Sequence, residues 1–186
     1  GEAFFGSDNH QSIGLMVDYL ARTGEPPKFF EMKDPINPNA YKRRAAYISA
    51  MEKLGLEPEL LQVNGDGWNF EEIGFKSGRQ IFQNSTHRRA TILCSNDRLA
   101  IGLMSAAYES GLKVGHGAEF DLRIAGHDDH PFSRYTCPSL TTISQDYDAI
   151  GERSVSEMLK IIDGANGITE RTEKLFEGRL VMRSSA

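Results

Sequence analysis

The sequence alternates short runs of β-branched and other apolar residues with longer segments of helical periodicity, and this alternation limits the fold more than any other feature. Strands are predicted at residues 3–5, 29–32, 60–63, 90–94, 122–126 and 140–143, with a final extended piece at 174–182. Helices are predicted at 8–21, 39–54, 70–82, 97–109 and 149–162. Parallel strands need a crossover connection, which a helix usually supplies. These units therefore predict an α/β fold with parallel sheets flanked by helices.

Residues 90–94 are nearly all apolar, as expected for a strand buried on both faces near the middle of a sheet. Cys94 ends this strand and is interpreted as a small core residue, not as a nucleophile. Cys137 is the second of two cysteines, and so few in 186 residues do not indicate a disulfide framework. A reducing compartment fits this composition, and we expect a cytoplasmic protein.

Composition and charge exclude several classes of protein. With 39% hydrophobic and 25% charged residues, the chain resembles ordinary globular proteins more than disordered or coiled-coil ones. The net charge of -5 gives this chain, by itself, no electrostatic reason to bind a nucleic acid backbone. Neither a signal peptide nor a membrane span is visible, and we expect no membrane partner. The chain opens abruptly on residues typical of a strand end, which suggests a fragment of a longer protein.

Polar residues follow nearly every predicted strand. In open parallel sheets, ligands bind outside the carboxyl ends of the strands, so these residues are candidates for a binding site. Amides, carboxylates and one aromatic ring would suit a small polyhydroxyl or amide-rich ligand, although Asn, Asp and Ser are also the preferred helix caps. The candidates are Ser7, Asp8, Asn9, Asn37, Asn39, Asp66, Trp68, Ser95, Asn96, Asp97, His127, Asp128, Asp129, His130, Gln145 and Asp146.

The run from His127 to His130 contains two imidazoles and two carboxylates, which are ligand types for zinc or iron. Alternate side chains of an extended segment point to opposite faces, and no second ligand cluster is found, so we expect no metal and no cofactor. The sequence also lacks the Gly-x-Ser-x-Gly motif and the phosphate-binding Gly-x-x-x-x-Gly-Lys-Ser/Thr motif. We therefore do not expect an enzyme.

Four segments occur in an order that is specific. Residues 90–102 combine an apolar strand, an Asn-Asp pair and an Ala-x-Gly helix, and residues 123–129 read Arg-Ile-Ala-Gly-His-Asp-Asp. Residues 138–145 read Pro-Ser-Leu-Thr-Thr-Ile-Ser-Gln, and residues 179–185 form a closing Arg-Leu-Val-Met-Arg-Ser-Ser strand. Together they resemble the effector-binding core of the lactose repressor (LacI/GalR) family of bacterial transcription regulators, with His127 replacing the usual aromatic residue. The resemblance covers nearly the whole chain.

The resemblance implies a two-lobed, periplasmic-binding-protein-like fold with the ligand between the lobes. Residues 1–57 are expected to form part of the amino-terminal lobe, 58–144 the carboxyl-terminal lobe, and 145–186 a return to the first lobe with the closing strand. The upstream lobe is expected to be incomplete, because the family's first strand-helix units are absent. The family's helix-turn-helix domain and hinge helix are absent as well.

The resemblance also implies the residues that contact the effector. Asn39 and Arg43 are expected on the upstream lobe, and Asn96, Asp128 and Gln145 on the other lobe or its hinge. Arg43 is the foremost candidate, since a guanidinium can hold a hydroxyl pair or a carboxylate through two parallel hydrogen bonds.

For two further effector-site candidates, other residues could take the same place. Gln11 is an effector candidate, but a shift in helix register would replace it with Asp8 or Asn9. Trp68 is the candidate cleft aromatic, but one extra residue in this region would let Phe70 take its place.

The implied function is a sensor in which a small molecule between the lobes alters the affinity for operator DNA. DNA would be bound through the absent helix-turn-helix domain, as a homodimer, with helices 70–82 and 97–109 as candidate dimer surfaces. One alternative is a solute-binding protein of a sugar transport system. Another is an enzyme that uses Asp128, Asp129 and His130 as acid and base. A pentose, a hexose, a sugar acid or a purine would all suit the site.

Overall fold

The computed structural model describes residues 3–83, 89–163 and 172–186, and strands and helices alternate through these ranges. The α/β prediction is confirmed, and most elements lie within a few residues of their predicted positions. The elements are β1 (Ala3–Ser7), α1 (Asn9–Thr23), β2 (Pro27–Met32), α2 (Pro38–Lys53), β3 (Leu60–Val63), α3 (Phe70–Gln83), β4 (Ala90–Cys94), α4 (Asp97–Glu109), β5 (Leu122–Ala125), a 3-10 turn (Pro131–Arg134), β6 (Thr142–Ser144), α5 (Tyr147–Ile162), β7 (Thr172–Phe176) and β8 (Arg179–Val181).

A four-stranded parallel sheet in the order β3-β2-β4-β5 forms the centre of the molecule. β4 is buried at every position and lies between β2 and β5, as its apolar sequence predicts. Beyond β5 the chain continues the sheet through a parallel bridge between Ala125 and Thr141. There β6 pairs antiparallel with β8. All four strands of the main sheet therefore present their carboxyl ends at one edge.

Helices cover both faces of this sheet. α1 and α2 pack on one face, where Phe29 stacks on Tyr47 of α2 with ring centroids 4.9 Å apart. α3 and α4 pack on the other face, against Phe30 and Ile92. Neighbouring residues of a strand point to opposite faces, so Phe29 and Phe30 belong to two separate cores. In the part of the chain that the structure describes, no helix is long and apolar enough to cross a membrane.

α3 and α4 approach so closely that glycine is required on each helix. A Cβ atom at Gly102 would lie 2.1 Å from the carbonyl oxygen of Glu71, and one at Gly74 would lie 2.3 Å from that of Leu99. Of the apolar residues that made these two helices candidate dimer surfaces, Ile73, Phe82 and Met104 are buried in the core of this chain, and Ile101 is partly buried against it. Their apolar character therefore reflects packing against this chain's own helices and sheet, and it gives no support to the predicted dimer surface.

A smaller unit lies apart from the main sheet. β1 pairs in parallel with β7, and α5 packs against β1. The extended piece predicted at 174–182 is two strands in two different sheets, since β7 pairs with β1 and β8 with β6. The chain changes sheets at Gly178, where an added Cβ would lie 2.6 Å from Ile143 and 2.9 Å from Ser12.

The main sheet extends across the predicted lobe boundary at residue 57. β2 precedes that boundary, yet it pairs with β3 on one side and β4 on the other. α2 packs on this sheet, so Arg43 lies on the same structural unit as Asn96 and Asp128. The expectation that Arg43 would face these residues from an upstream lobe is therefore corrected. The sequence pattern identified the strands but not which sheet each one joins.

Candidate functional site

A pocket of about 200 Å³ opens at the carboxyl ends of β2 and β4, beside the loop that follows β5. Arg43, Asn96 and Asp128 line its polar side. Trp68, Phe70 and Ile36 are among the residues of its apolar side. Four of the seven residues expected to contact the effector, Arg43, Trp68, Asn96 and Asp128, thus come together at the sheet edge where open parallel sheets bind ligands, and the strand-end candidates Asn37 and Ser95 line the same pocket.

Arg43 is the central cation of the pocket. α2 begins at Pro38 and is capped by the Asn37 side chain, which places Arg43 in the second turn with only 7% of its surface exposed. Its Nη2 donates to Oδ1 of Asp128 at 2.6 Å, Nη1 to the Ser95 carbonyl at 2.7 Å, and Nε to Oδ1 of Asn9 at 3.0 Å. The guanidinium is therefore fixed in orientation and paired with one carboxylate before any ligand is present.

Asp128 is the anion of this pair and lies directly after β5. Its Oδ1 accepts from Arg43, from Nδ1 of His127 at 3.1 Å and from Nε2 of Gln145. Burial alone would raise the pKa of the Asp128 carboxyl, but the Arg43 guanidinium and the bond from His127 outweigh burial and lower it. Asp128 is therefore ionised at neutral pH, and the pair carries no net charge.

One oxygen of Asp128 remains for a ligand. Within the described residues Oδ2 accepts no protein hydrogen bond, whereas Oδ1 accepts three. The side chain keeps 28% of its exposure and borders the pocket. The backbone of Asp128 has φ 117°, a conformation that L residues rarely adopt, and such strain is often stored at functional sites.

Behind Asp128 lies the fully buried imidazole of His127. Its Nε2 is 2.9 Å from Oγ of Ser12, which is also fully buried on α1. Burial and the charge of Arg43 lower the pKa of His127 to about 4, despite the opposing effect of Asp128, so the imidazole is neutral. Sequence reasoning missed Ser12. Its signal was a polar residue on the core-facing stripe of α1, one position before Ile13 and four before Met16.

The neighbouring residues Asn96 and Asp97 have different roles. Asn96 caps α4 by accepting from the Leu99 amide at 2.9 Å, and it also lines the pocket. Asp97 is 1% exposed and accepts from Ser133 Oγ at 2.6 Å and Thr142 Oγ1 at 2.6 Å. Burial raises the pKa of Asp97 to about 6, although these hydrogen bonds oppose the change. Asn96 is therefore available to a ligand, and Asp97 ties the loop after β5 to α4.

The apolar wall contains two aromatic rings. Trp68 remains 54% exposed and meets Phe70 edge to face, with ring centroids 5.8 Å apart. Arg98 lies over the Phe70 ring and makes two hydrogen bonds, of 2.6 and 2.7 Å, to the carboxylate of Glu71. Both sequence alternatives for the cleft aromatic, Trp68 and Phe70, thus line the same pocket.

The other three residues expected to contact the effector, Gln145, Asn39 and Gln11, lie outside the pocket lining. Gln145 supports the pocket by donating to Asp128 and accepting from Ser7. Asn39 accepts from the Asn9 amide at 3.3 Å, and Asn9 in turn accepts from Arg43, so both lie one contact behind the guanidinium.

Gln11 contacts a different part of the molecule. Its side chain forms two hydrogen bonds with the backbone of Gly178, accepting at 2.9 Å and donating at 3.2 Å. The alternative that a shifted register would bring Asn9 to the site agrees with its bond to Arg43. Gln11 instead holds the chain where it passes from β7 to β8.

The acid-base alternative finds little geometric support. Asp129 pairs with Arg183 at 2.7 Å instead of facing the pocket. Ser12, His127 and Asp128 follow the order of a nucleophile, a base and an orienting acid, but a fully buried hydroxyl cannot meet a substrate. Burial raises the pKa of Cys94 well above its ordinary value, which disfavours the reactive thiolate. Among the residues described, no group of three or more His, Cys, Asp or Glu side chains could hold a metal ion.

The chain matches known proteins along its length. A family profile described as periplasmic binding protein-like domain matches residues 4–186. The chain is 37% identical over 119 residues to the HTH-type transcriptional repressor PurR of Escherichia coli O1:K1 / APEC, a match covering 63% of this chain and 33% of that protein. It is 36% identical over 145 residues to PurR of Klebsiella pneumoniae subsp. pneumoniae, covering 77% and 40%. The chain therefore matches less than half the length of these curated relatives.

Solved structures of repressors are also similar to this chain. A dimeric Lac repressor with a C-terminal deletion superposes with a TM-score of 0.80 at 28% identity, over 96% of this chain and 62% of that chain. The Lac repressor dimer bound to operator and the anti-inducer ONPF superposes with a TM-score of 0.79 at 27% identity, over 96% and 59%. These relatives are named as repressors.

Proposed function

The chain belongs to the periplasmic binding protein-like domain family, as an effector-binding core of the LacI/GalR type, and from this premise we propose that it binds a small, neutral, polyhydroxylated effector. The effector is a sugar or a sugar-like molecule. It occupies the pocket bordered by Arg43, Asp128 and Trp68. No catalysis is required of the site.

The buried pair of Arg43 and Asp128 is the observation that carries this proposal. The guanidinium keeps N–H groups beyond the three it uses, and the carboxylate keeps Oδ2. Adjacent donors and acceptors of this kind match a vicinal diol, whose hydroxyls both donate and accept. Because the two charges cancel, an anionic ligand would lack a counter-charge at this point, which favours a neutral sugar over a sugar acid.

The aromatic wall supports the same ligand class. Trp68 and Phe70 add apolar surface to the pocket lining, and the C–H faces of a sugar ring can pack on such surface. Asn96 adds a side-chain amide at the amino-terminal end of α4. Polar groups on one side and rings on the other would orient a molecule that has both a polar rim and an apolar face.

We also infer a division into lobes that differs from a boundary at residue 57. The pairing of β2 with β3 and β4 supports one lobe made of residues 8–144 together with 179–186. β1, β7 and α5 would then belong to the second lobe, which includes residues outside this chain. Effector binding would favour one arrangement of the lobes by binding it more tightly than the other.

In this proposal the whole protein is a cytoplasmic, DNA-binding transcriptional regulator. PurR is named as an HTH-type transcriptional repressor, and the Lac repressor structure is a dimer bound to operator. By analogy, operator DNA would be held by a helix-turn-helix domain outside this chain, in a homodimer, with effector and operator affinities coupled. The alternative, a solute-binding protein of a transport system, is less supported because the relatives reported above are repressors.

A thermal-shift screen of the 186-residue chain against pentoses, hexoses, sugar acids and nucleobases tests the proposal. A ligand at one hundred times its dissociation constant stabilises the native state by about 2.7 kcal/mol. We expect a neutral sugar or sugar-like hit that Asp128→Asn abolishes, with the ligand recovered unchanged. Asp18→Asn, which alters an exposed ion pair on α1, is the matched control and should keep the hit. A hit confined to anionic ligands, or one indifferent to Asp128→Asn, would contradict the proposal.

A further inference from the structure

His127 is a fully buried polar residue with one hydrogen-bond partner for each ring nitrogen. Nδ1 lies 3.1 Å from Oδ1 of Asp128, and Nε2 lies 2.9 Å from Oγ of Ser12. Ser12 belongs to α1 and Asp128 to the loop after β5, so the imidazole joins two elements that are far apart in sequence. A buried neutral imidazole with both nitrogens satisfied is stable, but one that loses a partner carries a penalty.

The partners determine which nitrogen carries the proton. Asp128 is ionised and can only accept, so Nδ1 must be the nitrogen that donates. Nε2 then has a lone pair and accepts from the Ser12 hydroxyl. The Ser12 hydroxyl has one other acceptor nearby, the Asn9 carbonyl at 3.4 Å, which is a longer contact. The geometry thus specifies a neutral imidazole protonated at Nδ1.

The proton on Nδ1 of His127 helps to orient the Asp128 carboxylate at the pocket. Oδ1 of Asp128 accepts from three donors that approach from different elements: Arg43 on α2, His127 beside it and Gln145 after β6. Donors from three elements oppose rotation of the carboxylate about its Cβ–Cγ bond. Oδ2 stays free of protein donors within the described residues, and the Asp128 side chain lines the pocket.

We propose that His127 is a positioning residue, which holds the Asp128 carboxylate so that Oδ2 faces the effector. This inference rests on the proposed function, since the effector is what Oδ2 would meet. A phenyl ring would fill the same space but could neither donate to Asp128 nor accept from Ser12. The imidazole therefore adds one charge-assisted hydrogen bond to the Asp128 carboxylate.

Nitrogen NMR of the 186-residue chain tests the arrangement without any effector. We expect the His127 ring at pH 7 to show a protonated Nδ1 and an unprotonated Nε2. A ring protonated at Nε2, or at both nitrogens, would overturn the inference. This outcome is independent of whether a sugar binds, so failure of the positioning role and failure of the proposed function can be told apart.

Three variants separate positioning from packing. His127→Asn keeps an amide donor close to the position of Nδ1, while His127→Phe keeps the ring volume and removes both hydrogen bonds. We expect the pKa of the Asp128 carboxyl, followed by carbon NMR, to rise in His127→Phe and to return towards its original value in His127→Asn. Ser12→Ala should change the pKa of Asp128 less than His127→Phe does. Equal pKa values in all four proteins would overturn the inference, and thermal unfolding of each variant verifies that it is folded.

Once the screen described above supplies a sugar, the same variants test the role of His127 in binding it. His127→Phe should weaken the affinity for that sugar about tenfold, the usual worth of one charge-assisted hydrogen bond. His127→Asn should recover most of the affinity. Unchanged affinity in His127→Phe would show that Asp128 needs no positioning by the imidazole.

Discussion

Arg43 and Asp128 are 85 residues apart in sequence, yet their side chains form a largely buried ion pair with Nη2 and Oδ1 2.6 Å apart. The pair joins α2 to the loop after β5 across the carboxyl edge of the sheet. It therefore has two roles, one in holding the pocket together and one in presenting a donor and an acceptor side by side.

Breaking this pair should destabilise the chain. Arg43→Ala leaves the Asp128 carboxylate without its cation and should cost about 3 kcal/mol of unfolding free energy, as for other buried pairs. Arg22→Ala removes an arginine from an exposed pair with Asp18 and should cost less than about 0.5 kcal/mol. Urea unfolding of both variants measures the difference. Similar losses in the two variants would mean that the Arg43 pair contributes no more than a surface contact.

The contact between α3 and α4 predicts a sharp contrast between two glycines. Gly102→Ala would place a methyl group 2.1 Å from a backbone oxygen, so the helices must separate at a cost of about 2 kcal/mol or more. Gly14→Ala on α1 meets no atom within 4 Å and should stabilise by about 0.5 kcal/mol, because alanine is the better helix former. Thermal unfolding compares them. A Gly102→Ala chain as stable as the wild type would refute the close packing of these helices.

Trp68 should matter for binding and not for folding. Because half of its surface is exposed, Trp68→Ala should change the unfolding free energy by less than about 1 kcal/mol. Loss of stacking on a sugar ring should weaken binding about tenfold. Calorimetric titration with the sugar found by screening measures the affinity, and Tyr108→Ala, which removes another exposed ring on α4, is the control. Equal affinity in wild type and Trp68→Ala would exclude Trp68 from the site.

The stability of the chain should depend on the protonation of His127. Its pKa is lowered to about 4 in the folded protein, so protons bind the unfolded chain more tightly, and stability present above about pH 6.5 is lost as the pH falls towards 4. The loss attributable to His127 is about 1.4 kcal/mol for each pH unit in this window. The contribution of Asp97 to stability has the opposite dependence on pH. Because its pKa is raised to about 6, this contribution is lost as the pH rises from about 4 to about 6.

A comparison of two proteins tests the contribution of His127. His127→Phe lacks the titrating group, so its unfolding free energy should fall less steeply than that of the wild type between pH 6.5 and 4.5. Asp97 is present in both proteins and its effect cancels. Parallel curves of unfolding free energy against pH would contradict a neutral, buried imidazole.

Local signals in the sequence were sufficient to find the elements. The apolar run 90–94 is the buried central strand, and the position of Asn96 before α4 predicts both its capping role and its place at the sheet edge. The extended piece predicted at 174–182 divides into β7 and β8, and no local pattern shows that Gly178 between them is held by Gln11 from another part of the fold. Periodicity identifies strands but does not assign them to sheets.

The candidate site, too, could be predicted from the sequence only in part. Strand ends pointed to Trp68, Asn96 and Asp128, since residues after parallel strands meet at one edge, whereas Arg43 came only from the family resemblance. The contact of Ser12 with His127 spans 115 residues and could not be read from spacing. Gln11 was an effector candidate with Asp8 or Asn9 as its register alternatives, and a shift of two positions exchanges a pocket neighbour such as Asn9 for a residue on a different surface.

The most direct test of the account uses the only tryptophan of the chain as its reporter. Titration of the 186-residue chain with the neutral sugar found by screening should change the fluorescence of Trp68 saturably, with one sugar bound for each chain. In Asp128→Asn the midpoint of the titration should rise at least tenfold, while in Asp18→Asn it should stay unchanged. A fluorescence change that is absent, that does not saturate, or that is the same in Asp128→Asn would contradict an effector site built on the Arg43 and Asp128 pair.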